Sequence, residues 1–155
     1  MNYAPNSLPA EIPESFREQF RFIYPATIQF GDLDVLGHVN NLTYLRMAQT
    51  SRVDYLQQIC GAPYNGLSYV LARVTVDFHA QGFYKDEMLC GTRISRLGTK
   101  SFDVEQHVIR VSDSQPMATI RSVMVVLADD HVSSAPIPDA WRKAITEFEP
   151  TQPQS

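Results

Sequence analysis

The stretch that organises the rest of the chain is GDLDVLGHVNN, residues 31–41. It lies between an apparent strand and an apparent long helix, and it contains two aspartates, one histidine and two asparagines. Glycine permits tight backbone bends, and asparagine is favoured immediately before a helix. We therefore expect polar side chains and free backbone amides to converge on one small volume where the helix begins.

The predicted helix runs from Asn41 to about Ile59, a segment without proline or glycine. At about 100° per residue, its apolar residues gather on one broad side. Gln49 and Arg52 project within that side, so they need polar partners if they are buried. The apolar residues of the predicted side are Leu42, Tyr44, Leu45, Ala48, Val53, Tyr55, Leu56 and Ile59.

Alternation of apolar and polar residues predicts strands on both sides of this helix. Before the helix, Ala26, Ile28 and Phe30 alternate with polar residues. After it come runs at about 70–78, 87–97, 100–111 and 117–127, and short turn sequences join the last three, which predicts an antiparallel meander. A short C-terminal helix is expected from Pro138 onward. This order predicts an α+β domain in which an antiparallel β-sheet wraps around one long central α-helix.

With 155 residues, the chain has the length of one domain. Several prolines precede Glu14, and the residues after Glu149 are polar with two further prolines. We therefore expect a loosely held N-terminal segment at 1–17, a single domain at 18–149 and a flexible C-terminal tail at 150–155.

Composition narrows the possible partners and the compartment. The formal net charge of -4 gives no reason to expect general affinity for nucleic acid. Cys60 and Cys90 lie outside any CxxC spacing, which favours buried free thiols over a disulfide or a zinc site. The N-terminus lacks a cationic start with an apolar run, and no stretch is long enough for a membrane helix. We expect a cytoplasmic protein with no membrane or nucleic-acid partner.

Residues 22–127 resemble the hotdog-fold acyl-CoA thioesterases of the 4-hydroxybenzoyl-CoA thioesterase type. The strongest part is FGDLD at 30–34 with GHVNN at 37–41, followed by YL at 44–45 and RVDYL at 52–56. VDF at 76–78, YKDEM at 84–88 and GTKSF at 98–102 follow in the family's order. The resemblance implies a hotdog fold, and a homodimer or homotetramer with acyl-CoA bound at the subunit interface. It implies no separate cofactor, since CoA is part of the substrate, and no metal.

The resemblance also implies roles for residues of the 31–41 segment. Asp34 matches the family's catalytic aspartate, which at neutral pH is ionised and can attack a thioester or take a proton from water. The backbone amide of Asn41 matches the family's oxyanion donor. His38 and Asn40 are further catalytic candidates, with loop stabilisation as the alternative. Gly37 is a candidate for close substrate approach or simply for a turn.

Candidate substrate-binding residues lie farther along the chain. Gln49 occupies a helix position where many related sequences have glutamate, and its amide can orient water or form a buried hydrogen bond. Lys100 and Ser101 match a turn that contacts the phosphate-bearing end of CoA in related enzymes, and Arg96 adds charge nearby. We expect Arg52 to pair with an acidic group instead of binding substrate.

The other histidines, His79, His107 and His131, have no metal-ligand spacing and are expected to have ordinary surface or packing roles.

Two alternative functions stay open. A hotdog hydratase or dehydratase also uses an aspartate and a histidine, but Asp34 and His38 are four positions apart where such enzymes have five and an Asn-Pro pair. A noncatalytic acyl-CoA-binding module is compatible with Gln49 in place of the helix carboxylate, and Asp34 would then only stabilise a turn.

Overall fold

A five-stranded antiparallel sheet wraps around one long helix in the computed structural model, which describes residues 12–61 and 68–154. The strands lie in the order β1-β3-β4-β5-β2, which leaves β1 and β2 at the two edges. The elements are α1 (Glu14–Gln19), β1 (Phe22–Thr27), α2 (Asn41–Cys60), β2 (Ser68–Phe78), β3 (Glu87–Leu97), β4 (Ser101–Arg110), β5 (Pro116–Leu127) and α3 (Asp139–Phe148). This is the predicted α+β architecture.

The predicted antiparallel meander of β3, β4 and β5 is confirmed, and β2 lies outside it. Strand β2 pairs with β5, and β3 pairs with β1 on its other side. Residues 79–86 therefore carry the chain from one edge of the sheet toward the other. Strand β2 ends up as an edge strand beside the central helix.

The first strand lies earlier in the sequence than predicted, because it spans Phe22–Thr27 instead of continuing through Phe30. The Asp32 carboxylate accepts a hydrogen bond from the backbone of Gln29 at 2.8 Å, and this closes a single 3-10 turn over Phe30–Asp32. The turn leaves Phe30 79% exposed. A local side-chain hydrogen bond thus overrides the alternating pattern.

The central helix α2 has the predicted position, and Tyr44, Ala48, Tyr55 and Leu56 of its predicted apolar side are buried, but other sides of the helix are buried as well. It ends at Gly61, whose φ of 61° gives the left-handed conformation typical of a helix C-terminus. Leu42 is 69% exposed, whereas Thr43 and Ser51 are buried. Because the sheet curves around the helix and α3 packs against it, several sides of α2 are enclosed and polar residues enter the core.

A polar belt divides the core into two apolar clusters. One cluster, around Tyr55, Leu56 and Phe102, lies toward α3, and the other, around Met47 and Met88, lies toward residues 31–41. The belt consists of the buried residues Ser51, Arg52, Thr92, Gln106 and Ser122.

Part of this belt is connected by hydrogen bonds. Ser51 Oγ lies 2.6 Å from Thr92 Oγ1, and Gln106 Nε2 donates to Thr92 Oγ1 at 2.9 Å and to the backbone oxygen of Ala48 at 2.8 Å. These contacts join α2 to β3 and β4 in the middle of the core.

Residues near both ends of the described chain have defined contacts, although we expected segments 1–17 and 150–155 to be loosely held. Phe16 of α1 packs with Phe20, Leu89 and Ile109 on the outer face of the sheet. Backbone atoms of Gln154 bond to β3, at 2.9 Å from the oxygen of Ser95 and 2.8 Å from the nitrogen of Leu97.

Both cysteines are free, as predicted. Cys90 is fully buried and Cys60 is half-buried. Burial raises the pKa of the Cys90 thiol to about 11. Among residues 12–61 and 68–154, no helix has the length and apolar character needed to cross a membrane.

Candidate active site

Asp34 occupies a tight turn and uses one carboxylate oxygen to hold it. Oδ1 accepts hydrogen bonds from the backbone amides of Leu36 at 2.8 Å and His38 at 3.1 Å. The backbone of Asp34 also donates to the oxygen of His38 at 2.8 Å. Oδ2 accepts no hydrogen bond within the described part of the chain, so this half-buried carboxylate keeps one oxygen for chemistry.

Gly37 makes the turn possible. Its φ is 78°, in the left-handed region that side chains other than glycine rarely adopt, and a Cβ there would contact nothing within 4 Å. The turn is anchored on its far side, where Val39 donates to the backbone oxygen of Gly82 at 2.9 Å. The glycine is therefore required by backbone conformation and not by crowding.

The two asparagines begin the central helix and have different roles. Asn40 is the N-cap, and its Oδ1 accepts a hydrogen bond from the backbone amide of Leu42 at 2.9 Å. Asn41 is the first helical residue, and its backbone N–H has no acceptor among the residues that the structure describes. An unpaired N–H at a helix start is a ready donor to a negatively charged oxygen.

Asp32 connects this loop to the central helix. Its second carboxylate oxygen pairs with Arg46 of α2, and its backbone oxygen accepts a hydrogen bond from Asn40 at 2.8 Å. These contacts tie the turn to the helix and so position Asp34 relative to Asn41.

Asp34 and Asn41 line one cavity of about 340 Å³, here called the loop cavity. Its other walls come from His38 and Tyr44, from Phe78 at the end of β2, and from residues 79–82. A carboxylate and an unpaired helix-start amide therefore face the same small space. This combination can activate a nucleophile and stabilise a developing oxyanion.

Two histidines line the loop cavity, and neither contacts Asp34 through its ring. The His38 imidazole packs edge-on against Phe83, with ring centres 5.5 Å apart. His79 was expected to have an ordinary role, but it lies in this cavity wall with Nε2 2.9 Å from Thr119 Oγ1. Its place follows from β2 being the edge strand beside α2, which the sequence did not indicate.

Tyr44 is a further residue of the loop cavity that was not predicted to have a functional role. The residue is buried, and its Oη has no hydrogen-bond partner among the described residues. Burial and the nearby charge of Asp86 raise its pKa to about 12, so the phenol stays protonated. A Cβ on Gly82 would lie 2.9 Å from Oη, so the wall here is closely packed. The protonated Tyr44 hydroxyl therefore keeps hydrogen-bonding capacity within the closely packed wall of the loop cavity.

Gln49 and Arg52 do not line the loop cavity. Both line a second cavity of about 330 Å³ between α2 and strands β2 and β5, here called the mid-helix cavity. Gln49 is exposed at its mouth, whereas Arg52 is buried. The expectation that Arg52 pairs with an acidic group is wrong for residues 12–61 and 68–154, where no carboxylate forms an ion pair with it.

The candidate CoA-phosphate residues lie at the opposite end of the sheet from Asp34. Strand β3 has 11 residues, so its two ends are about 33 Å apart at about 3.3 Å per residue. Arg96 Nη2 bonds to Asp103 Oδ1 at 2.8 Å and to Ser101 Oγ at 3.1 Å, and Lys100 Nζ lies 3.3 Å from Ser134 Oγ. Within one chain these residues do not join the loop cavity, so their role stays a prediction that requires a second copy.

No group of three or more histidine, cysteine, aspartate or glutamate residues is arranged to hold a metal within the described ranges.

Solved structures of thioesterases share this architecture. A thioesterase from Thermus thermophilus, complexed with coenzyme A and Zn, is 31% identical with a TM-score of 0.77, and the match covers 86% of this chain and 98% of that one. A thioesterase superfamily protein from Jannaschia sp. CCS1 is 26% identical, with a TM-score of 0.79 and coverages of 86% and 85%.

A mutant 4-hydroxybenzoyl-CoA thioesterase complexed with 4-hydroxybenzoyl-CoA is 20% identical, with a TM-score of 0.73 and coverages of 79% and 96%. These likenesses confirm the hotdog fold that the sequence resemblance implied. No curated protein sequence was found to match the chain. A family model described as the thioesterase-like superfamily matches residues 28–145, which contain both cavities, and the chain therefore belongs to the thioesterase-like superfamily.

Proposed function

We propose that this protein hydrolyses acyl-CoA thioesters to a carboxylic acid and free CoA, with Asp34 as the catalytic carboxylate and the Asn41 backbone amide as oxyanion donor. The observation that carries the proposal is that both groups line the loop cavity and that each has hydrogen-bonding capacity left over. Membership of the thioesterase-like superfamily and the CoA-bound structural relatives support the same reaction class. The reaction uses no cofactor beyond the CoA of the substrate.

Two reaction sequences fit this geometry, and in both the C–S bond of the thioester breaks and CoA is released. With Asp34 as general base, its carboxylate takes a proton from water, the oxygen of that water bonds to the thioester carbon, and the C–S bond breaks to release CoA. With Asp34 as nucleophile, Oδ2 bonds to the thioester carbon and releases CoA, and water then hydrolyses the resulting anhydride. In both, negative charge develops on the carbonyl oxygen, where the Asn41 N–H donates a hydrogen bond.

His38 and Asn40 are assigned supporting roles in this proposal. The backbone of His38 helps to hold Asp34, while its ring forms one wall of the cavity. Asn40 caps α2 and so fixes the direction of the first turn of the helix, including the N–H of Asn41. Both residues act on the reaction through the position of other groups.

We also propose that the active unit contains at least two copies of the chain. Strand β2 is an edge strand with exposed apolar side chains, including Val70, Leu71 and Phe78. An exposed apolar edge readily pairs with another strand. Light scattering after gel filtration is expected to give a mass of two or four chains of 17.5 kDa. A mass of one chain at assay concentration would contradict this assembly.

The reaction is tested by thiol release from a panel of short, long and aromatic acyl-CoA esters. We expect wild-type turnover of at least one ester, and Asp34→Ala is expected to lower that turnover by roughly two to four orders of magnitude. The control is Asp129→Asn, which alters an exposed aspartate outside both cavities and is expected to leave turnover unchanged.

Three outcomes would overturn the proposal. Near-normal turnover by a folded Asp34→Ala variant would remove the catalytic role of Asp34. Saturable CoA-ester binding with no hydrolysis of any ester would indicate the noncatalytic module. Hydration of an enoyl-CoA with an intact thioester would indicate a hydratase.

A further inference from the structure

The mid-helix cavity and the loop cavity lie beside the same two elements. Asn41 and Tyr44 line the loop cavity together with Phe78 of β2, and Leu45 and Arg52 line the mid-helix cavity together with Val74 of β2. Both cavities therefore lie between the central helix and the same edge strand. An acyl group that runs from a thioester at Asn41 along this strand would reach the mid-helix cavity.

Arg52 is a buried cation without an anionic partner among residues 12–61 and 68–154. The residue is only 6% exposed, its Nε has no hydrogen-bond partner, and no described carboxylate pairs with it. Removing a guanidinium from water is costly unless an opposite charge or hydrogen-bond acceptors replace the water. Burial accordingly lowers the pKa of Arg52. The cavity that Arg52 lines therefore favours an anionic occupant.

Ser122 adds a second unpaired polar group to the same wall. It is 1% exposed, and its Oγ has no hydrogen-bond partner within the described ranges. A serine hydroxyl can donate one hydrogen bond to a carboxylate oxygen. Both Arg52 and Ser122 line the mid-helix cavity, one from α2 and one from β5, so an occupant of that cavity would lie between two elements that each hold a polar atom without a partner among the described residues.

The remaining lining of the mid-helix cavity is mostly apolar and supplies no second unpaired cation. Leu45, Leu71, Val74 and Ile120 line it, and Arg46 at its edge is already paired with Asp32. One free guanidinium beside one hydroxyl matches the single charge of a carboxylate, which arginine also recognises with two parallel hydrogen bonds. An occupant with an apolar body and one terminal carboxylate satisfies both the walls and the polar groups.

The spacing along the helix sets the size of this occupant. Arg52 follows Asn41 by eleven residues, which at about 1.5 Å per residue is about 16 Å along the helix axis. The Cα–Cβ bonds of a helix tilt toward its N-terminus, so the Arg52 side chain leaves α2 in the direction of Asn41, which shortens that gap. A chain of several carbons or a single aromatic ring spans the distance that is left.

We infer that the preferred substrates are CoA monoesters of dicarboxylic acids, whose free carboxylate binds Arg52 and Ser122 in the mid-helix cavity. The inference rests on the proposed thioesterase function, because it assigns the acyl part of the same substrate. It identifies Arg52 and Ser122 as specificity residues that act at the far end of the acyl group from the reacting bond.

The test compares ester pairs that are matched in size and differ in the terminal carboxylate. The first pair is adipoyl-CoA and hexanoyl-CoA, and the second is 4-carboxybenzoyl-CoA and 4-methylbenzoyl-CoA. Hydrogen bonds to charged groups contribute about 1.5 to 3 kcal/mol, so wild-type kcat/KM is expected to favour the carboxylate member of at least one pair by roughly 10- to 100-fold.

Variants then test which residues cause the preference for the carboxylate esters. Arg52→Gln is expected to remove it by lowering kcat/KM for the carboxylate ester alone, and Arg52→Lys, which keeps the charge, is expected to retain part of it. Ser122→Ala is expected to reduce the preference severalfold. The wild-type ratios and the small Ser122→Ala change test the inference even if Arg52→Gln fails to fold.

Failure of the inference differs from failure of the proposed function. Hydrolysis of the neutral esters with no preference for a terminal carboxylate overturns the inference and leaves the thioesterase intact. Equal loss of activity toward both members of a pair in a folded Arg52→Gln variant also overturns it, because the arginine would then act only in packing. Hydrolysis of no ester at all overturns the thioesterase proposal itself.

Discussion

The loop at residues 31–41 and the polar belt in the core differ in where the hydrogen-bond partners of their polar groups lie in the sequence. In the loop, backbone and side-chain groups bond to one another within a few residues, and one oxygen of Asp34 and the N–H of Asn41 remain free. In the belt, the groups come from α2, β3, β4 and β5, and three buried residues, Arg52, Gln106 and Ser122, retain atoms without a partner. The loop is built by local geometry, whereas the belt depends on the tertiary fold.

Because of this difference, mutations in the loop and mutations in the belt are expected to change different properties of the protein. Changes to the free groups of the loop are expected to lower the rate of reaction while the fold persists. Changes to the bonded groups of the belt are expected to lower the free energy of unfolding, since each connects two elements across the core. Variants in the two regions can therefore confirm or refute that separation.

A large effect on the reaction rate is expected from removing the Asn41 N–H. Proline is tolerated at the first position of a helix, and Asn40 already has the extended conformation, φ -63° and ψ 139°, that a residue before proline prefers. Asn41→Pro is therefore expected to fold and to lower kcat by roughly 100- to 1000-fold, the loss typical of one oxyanion donor. Asn41→Ala keeps the N–H and serves as the control in thiol-release assays. Similar rates for Asn41→Pro and Asn41→Ala would assign the oxyanion to another donor.

In the belt, Thr92→Val is expected to act on stability. The substitution keeps the shape of the side chain but removes the hydroxyl that lies 2.6 Å from Ser51 Oγ and accepts from Gln106. We expect a loss of roughly 1 to 3 kcal/mol in the free energy of unfolding, measured by urea denaturation. An unchanged unfolding midpoint would show that these buried hydrogen bonds contribute nothing net.

Asn40→Ala tests whether the loop also contributes to stability. Loss of the hydrogen bond from the Leu42 amide is expected to cost about 1 kcal/mol, the usual effect of removing an N-cap. Circular dichroism during thermal unfolding measures the change. A stability loss as large as that of Thr92→Val would weaken the separation between the two regions.

A further effect is expected on the outer face of the sheet at acidic pH. Hydrogen bonds from His107 and Arg93 lower the pKa of Glu105 from an ordinary 4.5 to about 2. This carboxylate therefore stabilises the fold above pH 4.5, and its contribution is lost as the pH falls from 4.5 toward 2.

Urea unfolding at about pH 7 and about pH 3, on either side of the ordinary carboxyl pKa, measures the Glu105 contribution. Glu105→Gln is expected to lose less stability between these pH values than the wild type. An equal loss in both proteins would assign the acid sensitivity to other groups.

The parts of the fold that could be predicted are those with a long, regular pattern or a local turn. The bounds of β3, Glu87–Leu97, follow from alternation between two clear turns, and the span of α2 follows from a long run without proline or glycine. The candidate roles of Asp34 and Asn41 came from the resemblance of residues 30–41 to the hotdog-fold thioesterases, and they stay predictions.

The rest depends on contacts between distant residues. The pairing of β2 with β5 depends on contacts across many residues of sequence, so the short turns nearby gave no indication of it. The places of His79 and Tyr44 in the loop cavity follow from that pairing. The wrong prediction for Arg52 has the same origin, since only the folded core shows which groups surround it.

The catalytic role of Asp34 is tested most directly by the rate of thiol release by wild type and by Asp34→Asn on the same acyl-CoA ester, with both proteins shown to be folded. Asp34→Asn keeps an oxygen that can accept the amides of Leu36 and His38, so the turn is retained while the free charge is lost. We predict a rate at least ~100-fold lower for Asp34→Asn, the lower limit of about two orders of magnitude for a positioned acid or base. Equal rates for the two proteins would contradict this role.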